Sequence, residues 1–323
     1  MLGPTLPYGW RVPLTSEEGD SGMNTSGSVR GLLAGVFTVV LWGSLPLLRR
    51  LAGLPPLQVA AIALAAAALL AGVAALFPRE GDARPAPMTR KAHWLAGVGG
   101  LVGALWFYFL ALGRGDPAVV TLVTYTWPLG FVVAADVLAG RRPAVAALLG
   151  AGIAFAGIAP LVAGGGGGEP TPPVAWLAGL ASGASWIAFS LYLRGAGALP
   201  LSGYARLFGQ AGVVALVLHL VTETTVTAAV GDWLAAALIG VGPYGVAFMA
   251  WGYALRHGPA GLLGTLTYAT PVIATTALVA VGWSAPDPRL ALAAIGVVGG
   301  ALVASGRLPA RWPRRSLRPG SAG

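Results

Sequence analysis

The sequence contains no cysteine. Disulfide frameworks and thiolate metal sites are therefore excluded, and nothing about redox compartment can be read. Charge is also scarce: Asp, Glu, Lys and Arg make up 10% of the 323 residues, against about 25% in a soluble domain. So few charges cannot solvate the surface of a globule. No Asp or Glu falls at the middle of a long apolar run, so the carboxylates that mark proton relays and ion sites inside membranes are missing. Those runs also lack paired His, paired Asp or Ser with a base, the convergent groups that a membrane-embedded enzyme needs. The chain reads as a non-enzyme, with no metal and no cofactor called for. Gly164–Gly168 is no phosphate loop, because no Lys-Ser/Thr follows it and no strand precedes it.

What is present is apolar. Hydrophobic residues make up 56% of the chain and mean hydropathy is +0.75. The 49 glycines and 25 prolines interrupt long apolar runs, as they do in membrane helices. A span needs about 20 mostly apolar residues, and ten stretches qualify: 31–48, 57–77, 94–112, 118–138, 143–163, 174–193, 203–222, 231–255, 259–282 and 289–306. Arg114-Gly115-Asp116-Pro117 and Arg256-His257-Gly258-Pro259 divide two runs that would otherwise be too long.

The net charge of +9 is distributed as a topology signal and forms no nucleic-acid stripe. With a cytoplasmic N-terminus, 16 Lys and Arg fall in inside segments. Four fall outside, namely Arg49, Arg50, Arg114 and Arg289, which together account for all 20. That asymmetry obeys the positive-inside rule and predicts a multi-pass protein of the plasma membrane with both termini cytoplasmic. The basic tail 307–323 would meet anionic lipid. Residues 1–30 form a polar segment without signal-peptide character. Met23 offers a second start, which would make residues 1–22 an over-long N-terminus. Oligomeric state leaves no mark in the sequence.

An internal repeat organises the spans. Leu33-Ala34-Gly35, Trp42 and Arg50 recur as Leu177-Ala178-Gly179, Trp186 and Arg194. Thr124-Tyr125 with Pro128 recurs as Thr267-Tyr268 with Pro271, and Ala111-Leu112 as Ala254-Leu255. The expected fold is all-α and integral to the membrane, with ten transmembrane helices as two repeats, 31–163 and 174–306, joined by a Gly-rich linker, 164–173. An odd number of spans per repeat inverts the second copy, as in many secondary transporters.

Candidate site residues cluster near span centres. Proline removes a backbone N–H and crowds the carbonyl four residues earlier, so Pro128 and Pro271 should kink two spans at one depth. Thr124, Tyr125, Trp127, Thr267 and Tyr268 precede the kinks. Trp42 and Trp186 fall near their span centres, and Tyr108 pairs with Trp251 across the repeat. Cavity lining and plain core packing both account for these four aromatics. Gly31/Gly35, Gly99/Gly103, Gly179/Gly183 and Gly296/Gly300 read as close-packing motifs. His219 reads as a packing residue.

Trp42-Gly43 in the first span and Tyr-x-x-Pro in the fourth and ninth resemble the EamA-type drug/metabolite transporter superfamily. Tyr125-Thr126-Trp127-Pro128, Tyr268-Ala269-Thr270-Pro271 and Ala250-Trp251 with Ala254-Leu255 and His257-Gly258 are similar to its bacterial aromatic and neutral amino-acid exporter branch. The sequence departs from many members, which carry a Glu after spans four and nine; here Arg141-Arg142 and Trp283-Ser284 stand there. The resemblance implies non-ATP export of small neutral metabolites by alternating access through a central aromatic-lined cavity. Export of drugs, sugars or nucleosides, a passive pore and a lipid carrier remain alternatives on the same scaffold.

Overall fold

The computed structural model describes residues 25–77, 88–138, 140, 142–143, 145–164, 171–196, 199–227, 229–257 and 266–304. The expected polar N-terminus up to residue 24, the tail from 305 and residues 165–170 of the linker lie outside them. Every regular element among the described residues is helical. In chain order these are α1 (Thr25–Leu51), α2 (Pro56–Ala75), α3 (Arg90–Leu112), α4 (Pro117–Thr124), α5 (Trp127–Leu138), α6 (Val145–Gly164) and α7 (Pro173–Ala196). There follow α8 (Leu201–Thr222), α9 (Val230–Ile239, continued through Gly240–Val246 and Ala247–His257), α10 (Ala269–Ala280) and α11 (Pro288–Ala304).

Six of these, α1, α2, α3, α7, α8 and α9, are long and apolar enough to cross a membrane. Their outward faces carry exposed large apolar side chains, among them Leu33, Leu69, Leu95, Leu177, Val213 and Leu234. In water such faces would be a severe liability, whereas in lipid they are the normal surface.

Two features depart from uninterrupted spans. The stretch 118–138 is broken: α4 ends at Thr124, Tyr125 and Thr126 form a turn, and α5 begins at Trp127. Thr267 and Tyr268 form a matching turn before α10. Each break begins within a residue of the carbonyl that its proline crowds, Thr124 for Pro128 and Thr267 for Pro271, which is why it falls ahead of the ring. Bonding tightens to three-residue spacing there. Thr126 N donates to Val123 O at 3.2 Å and Thr270 N to Thr267 O at 3.2 Å. The Thr126 hydroxyl donates to the same Val123 carbonyl at 2.7 Å.

The second departure is a π-helical stretch in α3 (His93–Gly99) and another in α9 (Gly240–Val246). In the repeat expected from the sequence these would be corresponding spans. In α9 the Ala247 N–H reaches five residues back to Gly242 O. Gly240 lies so close to the Ala63 carbonyl of α2 that no Cβ fits there. Glycine is needed at that approach.

Two cores result. The larger joins α1, α2, α3, α7, α8 and α9 around Leu57, Leu64, Leu105, Phe109, Phe208 and Tyr244. The smaller joins α4, α5, α6, α10 and α11 around Leu122, Leu129, Ile158, Leu278 and Leu290. Lipid tails are as apolar as leucine, so close backbone approach must hold helices together in place of burial from water. At the α6–α11 contact, a Cβ on Gly157 would stand 2.8 Å from Gly296 Cα. The pairings α1–α9 and α7–α3 mirror each other, as do α1–α10 and α7–α5, while α2–α8 and α6–α11 each join corresponding helices.

Candidate functional site

Six aromatic rings form a continuous chain through the larger core. Trp127 of α5 lies 6.3 Å from Trp186 of α7, and Trp186 lies 5.7 Å from Phe189. Phe189 meets Phe248 of α9 at 6.3 Å, Phe248 meets Trp42 of α1 at 5.9 Å, and Trp42 meets Trp251 at 5.5 Å. The linking phenylalanines are buried, while the four tryptophans at the ends are half-buried. Rings at these separations and tilted or edge-on angles attract beyond simple burial. The chain unites four residues singled out from sequence and joins the equivalent tryptophans Trp42 and Trp186.

Helix geometry sets these positions. Trp186 and Phe189 are one turn apart on α7, and Tyr244, Phe248 and Trp251 follow one stripe of α9. Trp42 is further fixed by its indole N–H, which donates to the Pro243 carbonyl at 3.0 Å inside the π-helical stretch. Gly179 and Gly183 let the broken α4–α5 segment lie against α7. A Cβ on Gly183 would meet Thr124 O at 3.4 Å and Trp127 Cβ at 3.6 Å.

Tyrosines form a second grouping. Tyr108 is buried and its hydroxyl pairs with Thr121 at 3.0 Å, while Thr121 donates to Pro117 O at 2.6 Å. Tyr108, Tyr125 and Tyr244 lie within electrostatic range of one another. The Tyr244 hydroxyl is buried without a hydrogen-bond partner among the described residues. Such a group is costly unless a ligand or water completes it.

The other sequence candidates are placed differently. Thr124 is buried and its hydroxyl donates to the Gly179 carbonyl at 3.4 Å, so it serves the contact with α7. Tyr268 packs against the smaller core. Thr267 is half-buried and Pro271 buried at the second break; the Pro128 side chain lies outside the described residues. His219 is buried, with Nδ1 on Glu223 at 2.9 Å and Nε2 on Thr225 at 3.0 Å. Phe189, Phe248 and Tyr244 were not singled out from sequence. Their helical spacing from Trp186 and Trp251 was the signal that could have found them.

The profile of the EamA-like transporter family matches residues 29–163 and again 173–306. The chain belongs to the EamA-like transporter family. It is a multi-pass membrane transporter and not an enzyme. A curated relative, the aromatic amino acid exporter YddG of Ancylobacter novellus, is 34% identical over 280 residues, covering 84% of this chain and 96% of the relative. A solved crystal structure of a protein 33% identical superposes with a TM-score of 0.64 and covers 85% of this chain and 98% of that one. The two matches fall on the stretches where two repeats are expected from the sequence.

Proposed function

We propose that this EamA-like protein exports small neutral metabolites, with aromatic and neutral amino acids as the substrate class, by alternating access. Its architecture in this reading is ten spans in two inverted five-helix repeats, with both termini cytoplasmic in the plasma membrane. The mirrored helix pairings support the inversion, because a two-fold axis in the membrane plane would map each pairing onto its partner.

The observation that carries the substrate class is the aromatic chain ending in the half-buried pairs Trp127–Trp186 and Trp42–Trp251. Indole faces accept the edge or face of an aromatic side chain, and an ammonium over a ring gains about 0.5–2 kcal/mol. The hydroxyls of Tyr125 and Tyr244 supply donors for a carboxylate. Among the described residues of this region there is no carboxylate to repel that of the substrate. The 34% identity to an aromatic amino acid exporter points the same way.

The test is counterflow in proteoliposomes preloaded with unlabelled phenylalanine and given labelled phenylalanine outside. Transient accumulation, competed by neutral amino acids and not by sugars or nucleosides, is expected. Tyr125→Ala should abolish it in protein that still unfolds cooperatively. Competition by sugars or nucleosides instead would move the substrate to that class. Flux without counterflow would make the protein a pore.

A further inference from the structure

The aromatic contacts of the larger core converge on Phe248. Its ring lies 5.9 Å from Trp42 of α1, 6.3 Å from Phe189 of α7, and 5.9 and 6.2 Å from Phe208 and Tyr204 of α8. Tyr244, one turn earlier on α9, stacks on it at 6.3 Å. Phe248 is 6% exposed, so it meets these rings and little else. Interiors packed this closely pass a displacement from one side chain to the next.

Place in the chain of rings sets Phe248 apart. Trp42 is held twice, by its indole N–H on the Pro243 carbonyl and by its ring against Phe248. At the other end, Trp186 has no ring contact with Phe248 among the described residues and reaches it through Phe189. Phe208 and Tyr204 touch Phe248 but lie off this path.

In the repeat expected from the sequence, Leu105 stands where the second half has Phe248, and Leu45 where it has Phe189. Both leucines are buried. Leucine thus satisfies packing at those positions in one half. The links between the tryptophan pairs exist because the other half carries rings there, which are stiffer and attract by edge and face.

We propose that Phe248 is a positioning residue for transport. It fixes Trp42 directly and Trp186 through Phe189, so that the pairs Trp42–Trp251 and Trp127–Trp186 keep one mutual geometry. Given the reading of those pairs as substrate seats, on which this rests, Phe248 acts through the indoles and touches no substrate itself. A binding constellation works only when the packing around it locks its side chains.

Fluorine NMR of the full chain labelled with fluorotryptophan reads that geometry without substrate, with Trp42→Phe and Trp186→Phe assigning the two resonances. Phe248→Leu, which installs the residue of the first half, should shift the Trp186 resonance although it removes no ring that Trp186 touches. Phe208→Leu takes a buried ring from the same hub off the path and should leave Trp186 in place. In a Phe189→Leu background, Phe248→Leu should no longer move Trp186. Phe248→Met, which fills the volume with an unbranched chain, replaces Phe248→Leu if that variant does not unfold cooperatively. Counterflow reads the function. Phe248→Leu should raise KM for phenylalanine about three- to ten-fold, the worth of one aromatic contact, with the maximal rate kept, while Phe208→Leu leaves KM unchanged. A Trp186 resonance that stays in place overturns the proposal whatever KM does. A shifted Trp186 with unchanged KM upholds the positioning and removes the tryptophan pairs as the substrate seats.

Discussion

Trp42 of α1 is bonded through its indole Nε1 to the carbonyl of Pro243, 201 residues away on α9, at 3.0 Å. The bond ties the residue that the repeat marks as equivalent to Trp186 to the π-helical stretch that the repeat does not reveal. A π turn reaches five residues back and often accompanies functional sites. Here it sits where α9 comes closest to α2 and where the aromatic chain begins.

Trp42→Phe preserves a ring and removes the donor. It should cost about 1 kcal/mol of stability and slow counterflow, because α1 is no longer tied to α9 beside the proposed substrate site. Thermal unfolding of the purified protein and initial counterflow rates, measured together, check both parts. An unchanged protein in both assays would show that the bond carries nothing.

Gly157 and Gly152 lie on the same helix and should respond in opposite ways. A Cβ on Gly157 meets Gly296 Cα at 2.8 Å and Leu292 O at 3.2 Å, whereas one on Gly152 meets nothing within 4 Å. Gly157→Ala should push α6 from α11 and cost about 1–3 kcal/mol. Gly152→Ala should be neutral or stabilising by up to about 1 kcal/mol, through helix propensity alone. Unfolding midpoints in one detergent decide the comparison, and equal shifts would refute it.

The middle of α8 and its C-terminal end are fastened by different chemistry. His93 Nε2 faces Gln210 Oε1 at 2.7 Å and its Nδ1 faces the Tyr192 hydroxyl at 2.8 Å. An amide oxygen can only accept, so a neutral His93 donates from Nε2 and accepts at Nδ1 from the tyrosine. At the C-terminal end, Glu223 accepts from Leu57 N at 3.1 Å and pairs with His219, a carboxylate placed at the N-terminus of α2. His93→Phe and Glu223→Ala each strand buried partners and should cost about 1–3 kcal/mol. The sites are about 20 Å apart along α8, so the double variant should add within about 0.5 kcal/mol. A larger deviation in thermal unfolding would reveal coupling between the two sites.

The placement of the six long apolar helices was readable because lipid imposes a simple demand: about 20 apolar residues with internally bonded backbone. Arg114-Gly115-Asp116-Pro117 stops α3 and starts α4, with Asp116 capping the new helix through Ala118 N at 2.8 Å. The prolines likewise announced disturbed helices. They did not announce that the disturbance would be a full turn at Tyr125 and Thr126, since proline frees a carbonyl but its neighbours decide how far the ladder tightens. Thr124 shows the limit for the site. Its position beside the break is written in the sequence, but the approach of Gly179 turns its hydroxyl into a packing bond.

The sequence by itself determined that the chain is helical and belongs in a membrane, because these depend on composition and one-dimensional periodicity. Tertiary structure alone decided which aromatics meet. Phe189 and Phe248 link the pair Trp127–Trp186 to the pair Trp42–Trp251 because α7 and α9 pack with those faces inward, and Tyr268 is carried into the other core by the same packing. Apolar side chains look alike to lipid. Which of them meet therefore follows from the close approaches of backbones at glycine, and those are properties of helix pairs that no single stretch of sequence contains.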